Sequence, residues 1–310
     1  MGKEANERNH YPGSDEIERW LAAIWQAACD ADCRIEELPL HGFSHRLGIH
    51  HAEEEFRYIR FTIAGQNPFY AYWQPAASAP APLLVHVPGY GSEISTHPEL
   101  AAIGFHVLHV SPLGYGTPEG PDESMFVDGI WQWPVLPDTI ASSATKGYND
   151  WLMNVAVAVR WATSRSDTLP NRVSFFGTSQ GGGASLLLGS LFRDRGVRCV
   201  AADLPYLTNF PLADGRGGYR KAWRALDKLE DRGAGWVGLG YIDTLSHTDR
   251  LTCPVLLTAG SADETTPADT IESLFARLPG TRSYTLLNGV GHRYTREFIH
   301  LAAAWFRLYA

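Results

Sequence analysis

From residue 80 onward, short and nearly continuous apolar runs alternate with longer segments whose apolar positions recur every three or four residues. The runs are Leu83–Val87, His106–Val110, Val173–Phe176, Cys199–Asp203, Val255–Thr258 and Tyr284–Leu287. Such runs suit strands covered on both faces. Between them, Trp151–Thr163, Ala184–Phe192, Thr270–Arg277 and Thr295–Arg307 read as helices. Strands alternating with helices predict an α/β fold with a mostly parallel, doubly wound sheet. Ahead of this part, residues 55–64 and 69–74 alternate apolar with polar, as in Phe56, Tyr58, Phe61 and Ile63. They predict paired antiparallel strands that extend one edge. Ser14 is placed to cap a helix with Asp15 and Glu16 in its first turn and an apolar face of Ile17, Trp20, Leu21, Ile24, Trp25 and Ala28.

Two segments break the alternation. Residues 111–147 are rich in Gly, Pro and aromatics, and a loop of that length usually serves a function. Residues 204–250 lie between two core strands and contain a basic amphipathic stretch, Arg220 to Arg232. They read either as a cap over a site or as a surface helix with a solvated charged face. The expected organisation is a loose tail over residues 1–13 and one domain over 14–310. That domain has an N-terminal helix and a cap-like insertion at about 204–250.

Composition narrows the functional classes. The 310 residues are 45% hydrophobic and 19% charged, enough for a substantial core. A formal charge of −8, with no basic stripe, argues against nucleic acid as a partner. No apolar run is long enough to cross a membrane, and Met1 to His10 has no secretory h-region, so a cytoplasmic location is expected. Cys29, Cys33, Cys199 and Cys253 show no C-x-x-C spacing and read as free thiols. His41, His45, His50 and His51 cluster without a matching Cys or carboxylate pattern, so no metal site is expected. Gly89-Tyr90-Gly91 lacks the third glycine of a dinucleotide fingerprint, and no cofactor is expected.

The candidate chemistry centres on Gly177-Thr178-Ser179-Gln180-Gly181, followed by Gly182 and Gly183. A G-x-S-x-G between a strand and a helix is a nucleophile elbow, which lifts one serine hydroxyl above the sheet edge. A serine needs a base, and the base needs an orienting acid, in the chain order Ser, Asp or Glu, His. His292 follows the last strand in Asn288-Gly289-Val290-Gly291-His292. Asp263 leaves the end of Val255–Thr258, where sites form in open α/β sheets. Asp203 also ends a core strand and Glu264 adjoins Asp263, so both stay open as the acid, and Asp263 could instead cap the next helix. The oxyanion would be met by the Gln180 amide and by the Tyr90 amide in Pro88-Gly89-Tyr90-Gly91-Ser92. Phe126, Trp131 and Trp133 are candidates to line a substrate pocket, or simply to pack under a long loop.

Three pieces together resemble a known family. Ser179-Gln180-Gly181-Gly182-Gly183, Ala202-Asp203-Leu204-Pro205-Tyr206-Leu207, and Tyr241-Ile242-Asp243 before Cys253-Pro254-Val255-Leu256-Leu257 look like the acetyl xylan esterases and cephalosporin C deacetylases. The likeness runs from about residue 55 to the C-terminus. It implies an α/β-hydrolase fold, Ser179, Asp263 and His292 as a triad, and Tyr90 and Gln180 as oxyanion donors. It also implies deacetylation of small sugars or related molecules, and a homo-oligomer. Two positions differ: Leu113-Gly114-Tyr115 stands where the family usually has Arg-Gly-Gln, and Arg293 follows His292 where Glu is usual. The reading is a serine carboxylesterase acting on a small ester. The alternatives are a peptidase or amidase of the prolyl oligopeptidase type and a non-catalytic binding module on the same fold.

Overall fold

The computed structural model describes residues 7–38, 57–89, 96–112, 126–127, 130–131 and 146–310. Eleven strands are described: β1 (Cys33–Leu38), β2 (Arg57–Ile63), β3 (Phe69–Gln74), β4 (Ala81–Val87), β5 (His106–Ser111), β6 (Phe126–Val127), β7 (Ile130–Trp131), β8 (Thr168–Thr178), β9 (Val197–Asp203), β10 (Val255–Gly260) and β11 (Arg282–Leu287). Nine of them form one sheet in the order β1-β2-β3-β5-β4-β8-β9-β10-β11. From β5 to β11 all neighbours are parallel, whereas β1, β2 and β3 join the β5 edge antiparallel. The antiparallel edge was expected from β2 and β3. The short β1, mostly solvated with a charged Arg-Ile-Glu-Glu centre, gave no such signal.

The central parallel strands are largely apolar because both of their faces are covered, whereas β11 at the edge is partly exposed. Leu83, Val85, Phe175, Val200 and Leu257 join a large core beneath the helices Ser14–Asp30, Lys146–Thr163 and Gln180–Leu191. Their neighbours Leu84, Phe176, Ala201 and Leu256 face the other way, onto Phe298, Ile299, Ala302 and Phe306 of the last helix, Arg296–Tyr309. A period of two within each strand thus feeds two separate cores.

The first helix buries Ile17, Trp20, Leu21, Ile24 and Ala28, as its spacing predicts. Its cap differs by one residue. Gly13 holds the N-cap position, and Glu16 accepts the Gly13 N–H at 2.8 Å, which leaves Ser14 as the first helical residue. The stretch Arg220 to Arg232 is not one helix: Arg220–Leu226 ends at Asp227, whose backbone N–H bonds the Trp223 and Ala225 carbonyls, and Asp231 caps Arg232–Ile242 by accepting the Ala234 N–H. Residues 204–250 therefore form a chain of short helical segments.

Asp243 organises this segment. Its buried carboxylate accepts the N–H groups of Asn209, Phe210 and Leu245 and the hydroxyl of Tyr11. Arg8 reaches Asn209 as well, so residues 7–13, the described part of the expected tail, lie tied against the insertion. Burial pushes the Asp243 carboxyl above its ordinary range, although these bonds pull the other way. Replacing Asp243 by Ala would leave three buried N–H donors without their acceptor. Asp243→Ala is expected to lower unfolding free energy by about 3 kcal/mol or more, measured by urea denaturation, with Asp243→Asn retaining part of the loss.

Candidate active site

The chain runs from β4 outward to β5 and then returns to β8 on the other side of β4. The C-terminal ends of β4 and β8 therefore flank a topological switch point, where open α/β sheets place their sites. Val87 pairs with Gly177 and Thr178 with Asp203, which sets the loop after β4, the turn after β8 and the end of β9 side by side.

Ser179 occupies that turn with φ 59° and ψ −119°, a backbone conformation costing of order 1–3 kcal/mol for a residue with a side chain. Its neighbours hold it there. The Ser179 N–H donates to the Asp203 carbonyl at 2.8 Å, and the Ser179 carbonyl accepts from Gly183 at 3.0 Å and Tyr206 at 2.9 Å. A Cβ at Gly181 would overlap the Val87 carbonyl oxygen, and one at Gly183 would overlap that of Tyr206. The Gly-rich run after the serine and the Leu-Pro-Tyr-Leu run after β9 are thus two sides of one backbone contact.

The side chains meet above this turn. His292, on the turn after β11, has Nε2 2.8 Å from Ser179 Oγ and Nδ1 2.8 Å from Asp263 Oδ2. The two loops that carry His292 and Asp263 are stitched together, with Ser261 N–H donating to the Leu287 carbonyl and Ala262 N–H to Val290, each at 3.0 Å. Asp263 also accepts the N–H groups of Thr265 (2.7 Å) and Thr266 (2.9 Å) and the Thr266 hydroxyl (2.7 Å). It both braces the turn before the helix Ala268–Phe275 and faces the imidazole, so its two expected roles coexist. Burial pushes its carboxyl up, but the hydrogen bonds from His292 and Thr266 outweigh that and hold it below its ordinary range. The Asp263 side chain is fully covered while a quarter of His292 is exposed, so the chain of three opens towards solvent at the serine end.

Asp203 lies elsewhere. Its carboxyl accepts the hydroxyls of Thr178 (2.9 Å) and Thr258 (2.5 Å), bridging β8, β9 and β10. Burial pushes it up to about 6, against the pull of those two bonds. Glu264 is exposed. Of the three acids weighed from the sequence, Asp263 is the one the structure joins to His292.

Gln180 begins the helix after the turn, so its amide has no intrahelical acceptor and lies beside Ser179. Its buried side chain donates to the Tyr148 hydroxyl at 3.0 Å. Tyr90, Trp133, the Leu113-Gly114-Tyr115 run and the histidines 41, 45, 50 and 51 lie outside the described residues. Phe126 and Trp131 pair on the β6–β7 hairpin. Among the described residues, no three or more His, Cys, Asp or Glu side chains are arranged to hold a metal ion. All four cysteines are free, and no described helix is long and apolar enough to cross a membrane. Sequence reasoning missed Thr266 and Tyr148. Thr266 had a usable signal in Asp-Glu-Thr-Thr-Pro, whereas Tyr148, at the start of a helix 32 residues from Gln180, had none.

This sheet order, with the Ser179 turn at its switch point, is that of the α/β-hydrolases. Within that class the chain belongs to the acetyl xylan esterase family, whose model matches residues 10–308, and it is accordingly a hydrolase acting on esters. Its fold resembles an acetyl xylan esterase from a Paenibacillus species (TM-score 0.76, 18% identity, 99% of each chain covered). It also resembles acetyl xylan esterase 1 from a Thermoanaerobacterium species (TM-score 0.75, 18% identity, 96% of this chain and 95% of that one). An acylaminoacyl peptidase from Pyrococcus horikoshii shares the fold more distantly, at TM-score 0.59 and 14% identity over 81% of this chain and 41% of that one. An uncharacterized protein of Mycobacterium tuberculosis is 27% identical over 135 residues, a stretch that spans 43% of that relative's length.

The opposed environments of the two aspartates give a test. Asp203 has a folded-state value near 6, above the ordinary value of about 4, so its neutral form favours the fold. That contribution is present below about pH 4 and is lost as pH rises through about 6. Urea midpoints between pH 4 and 7 are expected to fall less with rising pH in Asp203→Asn than in the parent protein. Separately, Gly183→Ala is expected to cost about 2 kcal/mol or more in the same assay at constant pH.

Proposed function

We propose that the protein is a serine carboxylesterase that removes short acyl groups, acetyl foremost, from small molecules such as substituted sugars. The observation that carries this reading is the unbroken hydrogen-bonded line from Ser179 Oγ through His292 to Asp263, with the serine raised on a strained turn. In the proposed reaction, His292 Nε2 takes the Ser179 proton as Oγ attacks the ester carbonyl. Asp263 accepts a hydrogen bond from His292 Nδ1–H, stays ionised and stabilises the imidazolium that forms. The amides of Gln180 and Tyr90 meet the negative oxygen of the tetrahedral intermediate, a contribution worth about 10²–10³ in rate per donor. The C–O bond then breaks, the alcohol leaves with the proton from Nε2, and the acyl group stays on Ser179. Water, deprotonated by His292, attacks that ester and releases the carboxylic acid.

Membership of an ester-hydrolase family supports an ester rather than an amide as the substrate. The insertion at 204–250 is proposed to cap the site, since its Tyr206 N–H is bonded to the Ser179 carbonyl. Turnover of p-nitrophenyl acetate is expected to fall by at least about 10³ in Ser179→Ala, with the fold intact by circular dichroism. A variant as fast as the parent would refute the mechanism. Acetyl, butyryl and octanoyl esters, run beside acetylated sugars, are expected to rank acetyl first. Faster cleavage of aminoacyl anilides than of esters would favour a peptidase, and failure of a fluorophosphonate to label Ser179 would favour a binding module.

A further inference from the structure

Three histidines outside the Ser179–His292–Asp263 line pack in one cluster. His86 is on β4, His109 is its register partner on β5, and His97 immediately precedes the short helix Pro98–Ala102. All three are buried, with ring centroids 5.1–5.6 Å apart, and the ring of Phe176 closes over His86 and His97. Burial, and then the neighbouring histidines, hold His86 and His109 well below the ordinary range, so both stay neutral. Among the described residues, His86 Nδ1, His97 Nε2 and both ring nitrogens of His109 have no hydrogen-bond partner. A buried polar atom without a partner is unfavourable, and a folded protein carries few of them without a reason.

The cluster has one polar outlet. His97 Nδ1 lies 3.2 Å from Glu99 Oε1 and 3.1 Å from the hydroxyl of Tyr294. Glu99 Oε1 is an acceptor only, and Nε2 faces no acceptor, so the ring proton is assigned to Nδ1, shared between the carboxylate and the phenol oxygen. Burial, followed by the charges of Glu99 and Asp203, pushes the Tyr294 phenol well above its ordinary range, so it remains neutral. The rings of His97 and Tyr294 also stack, with centroids 5.7 Å apart and planes 29° from parallel. Tyr294 is two residues beyond His292, on the same turn. His97 lies ten residues beyond Val87, the last residue of β4.

We infer that Tyr294 and His97 form a clasp that positions the His292 turn against the segment following β4, and so fixes where His292 Nε2 stands relative to Ser179 Oγ. Both are positioning residues, since each acts through the turn that carries His292. The need for a rigid, buried platform behind His97 accounts for a cluster whose other nitrogens are left unpartnered. The Ser261–Leu287 and Ala262–Val290 hydrogen bonds hold the His292 turn on the Asp263 side, and the clasp adds an anchor on the His97 side.

The inference rests on the proposed esterase mechanism, and its test separates the two. Tyr294→Phe removes one hydroxyl from a half-exposed ring and leaves Glu99 to accept the His97 proton, so the fold is expected to persist with the melting temperature within a few degrees of the parent. On p-nitrophenyl acetate, kcat is expected to fall about tenfold with KM within about twofold, the size of effect expected when a catalytic base is misplaced by a fraction of an ångström. Labelling of Ser179 by a fluorophosphonate is expected to slow by the same factor. His97→Asn should give a similar loss, and the double variant should be no slower than the slower single one. An unchanged kcat in Tyr294→Phe, or additive losses in the double variant, would overturn the clasp while parent labelling at Ser179 still upheld the esterase. Absence of labelling in the parent would instead overturn the esterase reading itself.

Discussion

The structure depends on a backbone contact with no room for side chains. The turn at Ser179 has to fit between the end of β4, the end of β9 and its own helix, and it does so only because Gly181 and Gly183 let carbonyl oxygens approach where a Cβ would otherwise stand. The strained φ of Ser179 is fixed by three backbone hydrogen bonds that link it to β9, to its helix and to the segment after β9. Loosening any one of these would let the serine relax towards an ordinary conformation and drop its hydroxyl from the sheet edge. The same contact ties the insertion to the core, since the Tyr206 amide is both a neighbour of the Gly-rich run and a donor to Ser179.

Around that turn, two aspartates show how environment assigns roles to the same side chain. Asp203 ends β9, Asp263 lies on the turn just past β10, and both are buried. Asp263 is surrounded by donors that favour its charge, two backbone amides, a hydroxyl and an imidazole, and its carboxyl is held low. Asp203 meets only two hydroxyls, burial dominates, and its carboxyl is raised. A low-lying carboxylate suits an imidazolium partner. A raised one suits a bridge between strands, and the Asp203 bridge spans β8, β9 and β10.

Much of the family likeness has a physical basis in these packing constraints. The Tyr-Ile-Asp run carries Asp243, whose carboxylate gathers the amides that shape the insertion and binds Tyr11 from the N-terminal segment. A second buried network, in which Arg250 donates to Ser190 and Glu18 while His247 bonds Ser190 and the Tyr241 carbonyl, fastens the first helix to the same region. The N-terminal segment and the insertion thus stabilise one another on the face that also bears the helix after Ser179.

Local pattern by itself determined the strands and helices of the parallel sheet, because strands covered on both faces carry nearly continuous apolar runs over their central residues. It also determined the elbow serine and the order in which an acid and a histidine follow it, since those residues lie in short turns whose chemistry is local. The tertiary structure alone decided between Asp263 and Asp203, because both have the same strand-end context and only packing shows which carboxylate reaches an imidazole. It alone revealed β1, whose charged, solvated residues carry no apolar alternation, and the break in Arg220 to Arg232, where the Asp231 side-chain cap starts a new helix. The histidine cluster was invisible for a related reason: sheet register aligns His86 with His109, and only tertiary packing brings His97, ahead of the helix Pro98–Ala102, against both rings. Sequence fixes what each turn can do, but distances between turns are set by the sheet.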